Sequence, residues 1–138
     1  MARFGIDSTA IVTVYCSIVR PILEYASPVW HCGLTQGQSD DLENVQKRCL
    51  KMIFPDLSYA DALGIAGIEK LSERRERAVI SLFREIKHPS HILNNLLPFK
   101  PAESGGAVRR DDYPYRVPVA KTCIRACSFI SYCVARRF

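Results

Sequence analysis

The stretch "LSERRERAVISLFREIK", Leu71 to Lys87, decides how this chain reads. Leu71, Arg75, Ala78, Leu82 and Ile86 recur at steps of three and four, and Val79 and Phe83 widen the same side. An α-helix turns once in about 3.6 residues, so this spacing makes one stripe down a helix. Glu73, Glu76 and Arg77 decorate the opposite side, Ser72 is placed to cap the start, and Pro89 closes the element.

The same period extends in both directions. Leu42, Val45, Cys49 and Met52 form a second stripe, with Leu50 and Ile53 beside it. Thr35 and Gln38 fit a capping box, in which each side chain satisfies the other's exposed backbone donor. Lys47, Arg48 and Lys51 suit the negative C-terminal end of the helix dipole, and Pro55 stops the helix. Upstream, Ile11, Val14, Tyr15, Ile18, Val19 and Ile22 predict a helix from about Asp7 towards Trp30, capped by Asp7 or Ser8. Pro21 should kink it or end it near Val19. The many valines and isoleucines leave a buried strand as the competing reading. Residues 31–36 form a turn on Gly33. Ser58 to Ala66 reads as a short helix with Ser58 as cap, Asp61 as early acid and Gly67 as stop. Residues 92–97 add a further short turn. Trp30 is expected in the core, with Leu42, Val45 and Cys49 packed beside it.

These elements predict an all-α chain: a small irregular bundle of about four helices over residues 1–97, then a linker and an extended basic C-terminal tail over 98–138. Prolines at 98, 101, 114 and 118 and the Gly105-Gly106 pair break the pattern, and a last short helix or strand fits Cys123 to Val134. A chain of 138 residues predicts one domain, or one domain with a tail, and an apolar share of 48% is enough for a core. The six cysteines lie within apolar periodic segments and read as reduced thiols, so the chain reads as intracellular, nuclear or cytoplasmic. The apolar run Ala10 to Val19 is shorter than the roughly 20 residues a bilayer crossing needs, so no membrane association is expected.

Charge is unevenly placed. Cations and carboxylates balance over residues 1–108, so the whole net charge of +5 falls in the last thirty or so residues. Arg109, Arg110, Arg116, Lys121, Arg125, Arg136 and Arg137 supply it, interleaved with Tyr113, Tyr115, Phe129 and Tyr132. Cations meet phosphates and rings stack on unpaired bases, so these seven are the candidate nucleic-acid-binding residues. The alternatives are a solvated end and aromatics that dock the tail onto the helical body.

Catalytic and metal chemistry find little support. Asp40-Asp41 could hold a divalent ion, but neighbours on a helix point about 100° apart, and acids are favoured in a first turn. His31 with Cys32 and Cys49, His88 with His91, and Cys123 with Cys127 lack the paired spacing of a zinc site. A Cys-His nucleophile would need a third, orienting group. No glycine-rich phosphate loop, nucleophile elbow or dinucleotide fingerprint is present. We expect no enzyme activity, cofactor or metal.

"RPILEYASPVWHCGLT" (20–35), "LENVQKRCLKMIFPDLSYADAL" (42–63), "LSERRERAVISLFREIKHPSH" (71–91), "LLPF" (96–99) and "YPYRVPVAKTCIRACSFISYC" (113–133) follow one another in an order with specific spacing. Together they resemble the C-terminal region of non-LTR (LINE, jockey-like) retrotransposon reverse transcriptases, the segment that follows the polymerase palm, over roughly residues 10 to 133. The resemblance implies an all-helical thumb or post-thumb region that helps hold an RNA template and primer duplex, with RNA or DNA as a weak, salt-dependent partner. It also implies a catalytically incomplete fragment of an RNA-directed DNA polymerase. The aromatic-x-Asp-Asp hairpin of a palm is missing, and Ser39-Asp40-Asp41 at a helix start is not that hairpin. Ser131 departs from the family, where proline is usual after Ser-Phe-Ile. A related helical segment is similar to the small N-terminal domain of AlkB-like tRNA-modifying proteins. That keeps a protein-interaction module, docking through an exposed apolar face, as the alternative.

Overall fold

The computed structural model describes residues 7–99, 114–116, 119, 122 and 127–138. The fold is all-α: helices carry the described residues, no strand occurs among them, and one isolated antiparallel bridge pairs Phe99 with Tyr115. The chain divides into two compact units, Met1–Ser27 with Leu34–Arg77 and Pro28–Gly33 with Ala78–Phe138.

The first unit begins with α1, Ser8–Val14, which passes through a π-helical turn, Tyr15–Val19, into α2, Arg20–Glu24. Pro21 explains the turn. It has no N–H for the carbonyl four residues back, and its ring crowds that carbonyl, so the ladder widens instead of ending at Val19. Asp7 holds the N-cap position without a side-chain bond. The extra residue of the π turn also re-aims the stripe. Tyr15 is buried, and Ile11 and Val12 pack on the core, but Val14, Ile18, Ile22 and Tyr25 stand more than half exposed. The expected inward face is therefore divided between core and solvent. After α2 the backbone makes a turn at Tyr25 and Ala26, with Ala26 at φ 50°.

The apolar stretch is longer than Ala10 to Val19 suggested. Ser8–Gly33, 26 residues with a mean hydropathy of 1.2, is long and apolar enough by length and composition to cross a bilayer. Arg20 and Glu24 sit inside it, and a turn at Tyr25 and Ala26 interrupts it.

Next come α4, Gln36–Ile53, and α5, Tyr59–Ala66; α3, Ser27–Trp30, and a 3-10 turn, His31–Gly33, precede them. The capping box of α4 forms as expected, with Gln38 N–H donating to Thr35 Oγ1 at 3.3 Å and Thr35 N–H donating to the Gln38 carboxamide at 3.0 Å. Ser58 caps α5 through the Asp61 N–H, and Gly67 ends it in the left-handed region. The buried side of α4 is not the predicted one. Glu43, Gln46, Leu50 and Ile53 face inward, whereas Leu42 and Cys49 are half-buried and Val45 and Met52 exposed. Trp30 is also only half-buried and belongs to neither apolar core. The first core instead gathers Leu50, Ile53, Ala62 and Leu63.

A polar network accounts for the rotation of α4. Gln46 is fully buried. Tyr15 OH donates to Gln46 Oε1 at 2.7 Å, and Gln46 Nε2 donates to Tyr59 OH at 2.9 Å and to the Glu69 carbonyl at 3.0 Å. Tyr59 OH donates in turn to Glu43, whose second oxygen accepts the Ser72 N–H at 3.2 Å. Glu43 thus supplies the stabilising negative charge at the start of α6, Leu71–Ile86. Ser72, expected as that cap, lies inside the helix. Arg74 grips Glu24 with two bonds, of 2.6 and 3.2 Å. Arg75, fully buried, donates to Ser39 Oγ at 2.8 Å; burial lowers its pKa, against the pull of Glu43 and Glu24.

The second unit packs Val79, Phe83 and Ile86 with Leu97, Tyr115, Cys32 and residues of α7, Phe129–Arg136. A 3-10 turn, Asn94–Leu96, follows α6 where a short turn was expected. The Asn94 carboxamide donates to the Ile86 and Lys87 carbonyls, closing the end of α6. α7 settles helix over strand for the last element, and Arg116 N–H bonds the Pro98 carbonyl at 2.7 Å.

Gln46→Ala should lower stability by about 2–4 kcal/mol, because it strands two tyrosine hydroxyls and a backbone carbonyl. Ala26→Gly should raise it by about 1 kcal/mol by relieving a left-handed alanine. Urea unfolding followed by circular dichroism measures both.

Candidate nucleic-acid interface

The outward side of α4 meets the start of α5 around a cleft of about 510 Å³. Asn44, Lys47, Arg48 and Lys51 line it from α4, and Ser58 and Tyr59 from the cap of α5. Leu57 and Ala62 supply its apolar part. Lys47 and Lys51 lie about one turn apart, about 6 Å along the helix axis, with Arg48 between them. They are exposed, and no carboxylate among the described residues forms an ion pair with them.

The aromatic wall is held from two sides. Ser58 Oγ donates to the Asp61 carboxylate at 2.6 Å and accepts the Asp61 N–H at 3.2 Å, which fixes the first turn of α5. Tyr59 OH is anchored by Glu43 and Gln46, and burial, then the Glu43 bond, pushes its pKa up. The Tyr59 ring therefore stays a neutral phenol, half-buried, with the Lys47 ammonium 5.4 Å from its centroid. The arrangement offers positive charge for an anion beside an apolar and aromatic surface. Sequence reading had assigned Lys47, Arg48 and Lys51 only to the helix dipole. The signal that could have found the cleft was their spacing together with Ser58-Tyr59 just past the Pro55 turn.

The tail residues are placed in part. Arg109, Arg110, Lys121 and Arg125 lie outside the described residues, as do Tyr113 and Cys123. Arg116, Arg136 and Arg137 are exposed. Arg136 stacks its guanidinium 4.6 Å from the Tyr132 ring centroid. Tyr115 is committed to the second core, edge-on to Phe83 at 6.2 Å, and Phe129 packs on the same ring at 6.3 Å. Tyr132 has His31 at 6.4 Å and Phe138 at 6.1 Å. The described tail aromatics therefore serve packing, the alternative weighed against base stacking.

Asp40 and Asp41 are exposed, just past the first turn of α4, and Asp40 accepts from Gln36 Nε2 at 2.9 Å. Among the described residues no group of three or more His, Cys, Asp or Glu could hold a metal. His88 Nδ1 bonds Ser90, and His91 Nδ1 accepts the Leu93 N–H, so both rings brace the turn after α6. Cys16, Cys32, Cys49, Cys127 and Cys133 are free thiols. No protein-family model, curated protein or solved structure matches this chain.

Burial pushes the Cys32 thiol from 9.0 to about 11 and the Cys133 thiol from 9.0 to about 12. Both are neutral at physiological pH and weak nucleophiles. In the native chain at neutral pH, iodoacetamide should alkylate them at least ~100-fold more slowly than in the denatured chain; mass spectrometry of the alkylated peptides reads the ratio. The unfolded chain releases these protons first, so their contribution is complete below pH 9.0 and declines as pH rises towards 11 and 12.

Proposed function

We propose that this chain is a non-catalytic helical module that holds nucleic acid through its phosphate backbone, a catalytically incomplete fragment of the post-palm region of a retrotransposon-type RNA-directed DNA polymerase. The observation that supports it is the Lys47, Arg48 and Lys51 cluster. Three exposed cations span about one helical turn beside a fixed aromatic ring, with no carboxylate paired to them among the described residues. Such a cluster draws a polyanion and releases its condensed counterions. The exposed Arg116, Arg136 and Arg137 add further cations, and the basic tail supplies the net charge of +5.

A second reading is a protein-interaction module, like the small helical domain of AlkB-like proteins. Val14, Ile18, Ile22 and Tyr25, exposed along α1 and α2, favour it. Sedimentation at high salt separates the two: self-association or partner capture that persists there belongs to the apolar face.

Fluorescence anisotropy with a labelled RNA at low salt tests the first reading. Binding should weaken with a log-log salt slope of about −0.7 per phosphate neutralised on a single strand. Replacing Lys47, Arg48 and Lys51 together with alanine should make that slope about 2 units shallower. An RNA that shows no anisotropy change even at the lowest salt removes the reading.

A further inference from the structure

The α4–α5 cleft has more than charge. A duplex presents phosphates and hides the faces of its bases, so a protein built only for duplex backbone has no use for a ring in its groove. Here the ring is built in. Tyr59 lines the cleft beside Leu57 and Ala62, and its hydroxyl is tied back into the core by Glu43 and Gln46. Its orientation is therefore set before any ligand arrives, and its stacking surface carries little ordering cost. Its cation contact with Lys47, at 5.4 Å, is long and solvent-exposed, and is readily exchanged for a phosphate. Lys47 and Lys51 lie one turn apart with Arg48 between them, a row that can meet more than one phosphate of a single strand.

We propose that this cleft takes an unpaired nucleotide of a single strand, its base against the Tyr59 ring and Leu57, and its flanking phosphates on Lys47, Arg48 and Lys51. The proposal rests on the reading of the chain as a nucleic-acid-binding module and deepens it: the ligand is single-stranded, and the tail aromatics fixed in the second core take no part. Asn44, at the cleft's edge, offers a carboxamide to the base edge.

The test uses the full chain, a fluorescein-labelled oligouridine of about twelve nucleotides and a blunt RNA duplex of the same length, at low salt. The single strand should bind at least ~10-fold more tightly. Tyr59→Leu should weaken single-strand binding by about 5- to 100-fold and leave duplex binding within about twofold, whereas Tyr59→Phe, which keeps the ring, should retain the single-strand preference. Because both variants disturb a buried hydroxyl, a wild-type measurement stands beside them. Photocrosslinking with 4-thiouridine should tag the peptide that contains Tyr59. Equal affinity for both probes, equal weakening of both by Tyr59→Leu, or crosslinks confined to other peptides would overturn the single-strand inference while leaving nucleic-acid binding in place. Failure of both probes to bind would remove the underlying reading and this inference with it.

Discussion

Gln46 has no solvent-accessible surface, and its carboxamide must therefore find every partner inside the protein. The Glu69 carbonyl can only accept, so Nε2 faces it, and Oε1 is left for the Tyr15 hydroxyl. Nε2's second proton goes to Tyr59 oxygen, which frees the Tyr59 proton for Glu43. Glu43 then meets the first turn of α6. Each step leaves a single choice for the next. In a medium where an unpaired polar atom costs about 1–3 kcal/mol, this chain of bonds outweighs the preference of Val45 or Met52 for the interior. It fixes where the π turn, α4, α5 and the start of α6 stand within the first unit.

The network has a consequence on the other side of α4. Turning Glu43 and Gln46 inward brings Asn44, Lys47, Arg48 and Lys51 together on the side that meets Tyr59. The tyrosine that completes the buried network by its hydroxyl also lines the cleft with its ring. Core and candidate site are thus two faces of the same side chain, and a substitution at Tyr59 is felt in both.

The first helical run shows how one backbone feature redistributes burial. Pro21 accounts for a π turn that begins at Tyr15, whose hydroxyl reaches Gln46, while Val14, Ile18 and Ile22 stand exposed to solvent. Arg74 and Glu24, joined by two bonds and partly shielded from water, hold α2 to the start of α6.

Local chemistry was legible in the sequence. The Thr35 and Gln38 box, the Ser58 cap and the Gly67 stop follow from residues within a turn or two of each other, and so does the all-α class. Those signals are short-range and need no partner. The expected stripe of α6 holds at Leu71, Arg75 and Ile86, but Val79 and Phe83, expected only to widen it, are fully buried, whereas Ala78 and Leu82 are half-buried. The inward face of α4, the cap of α6, the half-exposure of Trp30 and the cationic cleft were not legible. Each depends on a bond or contact between residues far apart in the chain, such as Tyr15 with Gln46 or Glu43 with Ser72. Hydrophobic periodicity counts apolar residues, and it has no way to register that a buried glutamine and glutamate with complete hydrogen bonding occupy the core more stably than a valine and a methionine without them. Only tertiary structure, by bringing those polar groups within reach of one another, decided which side of α4 is inside and which side is left to solvent.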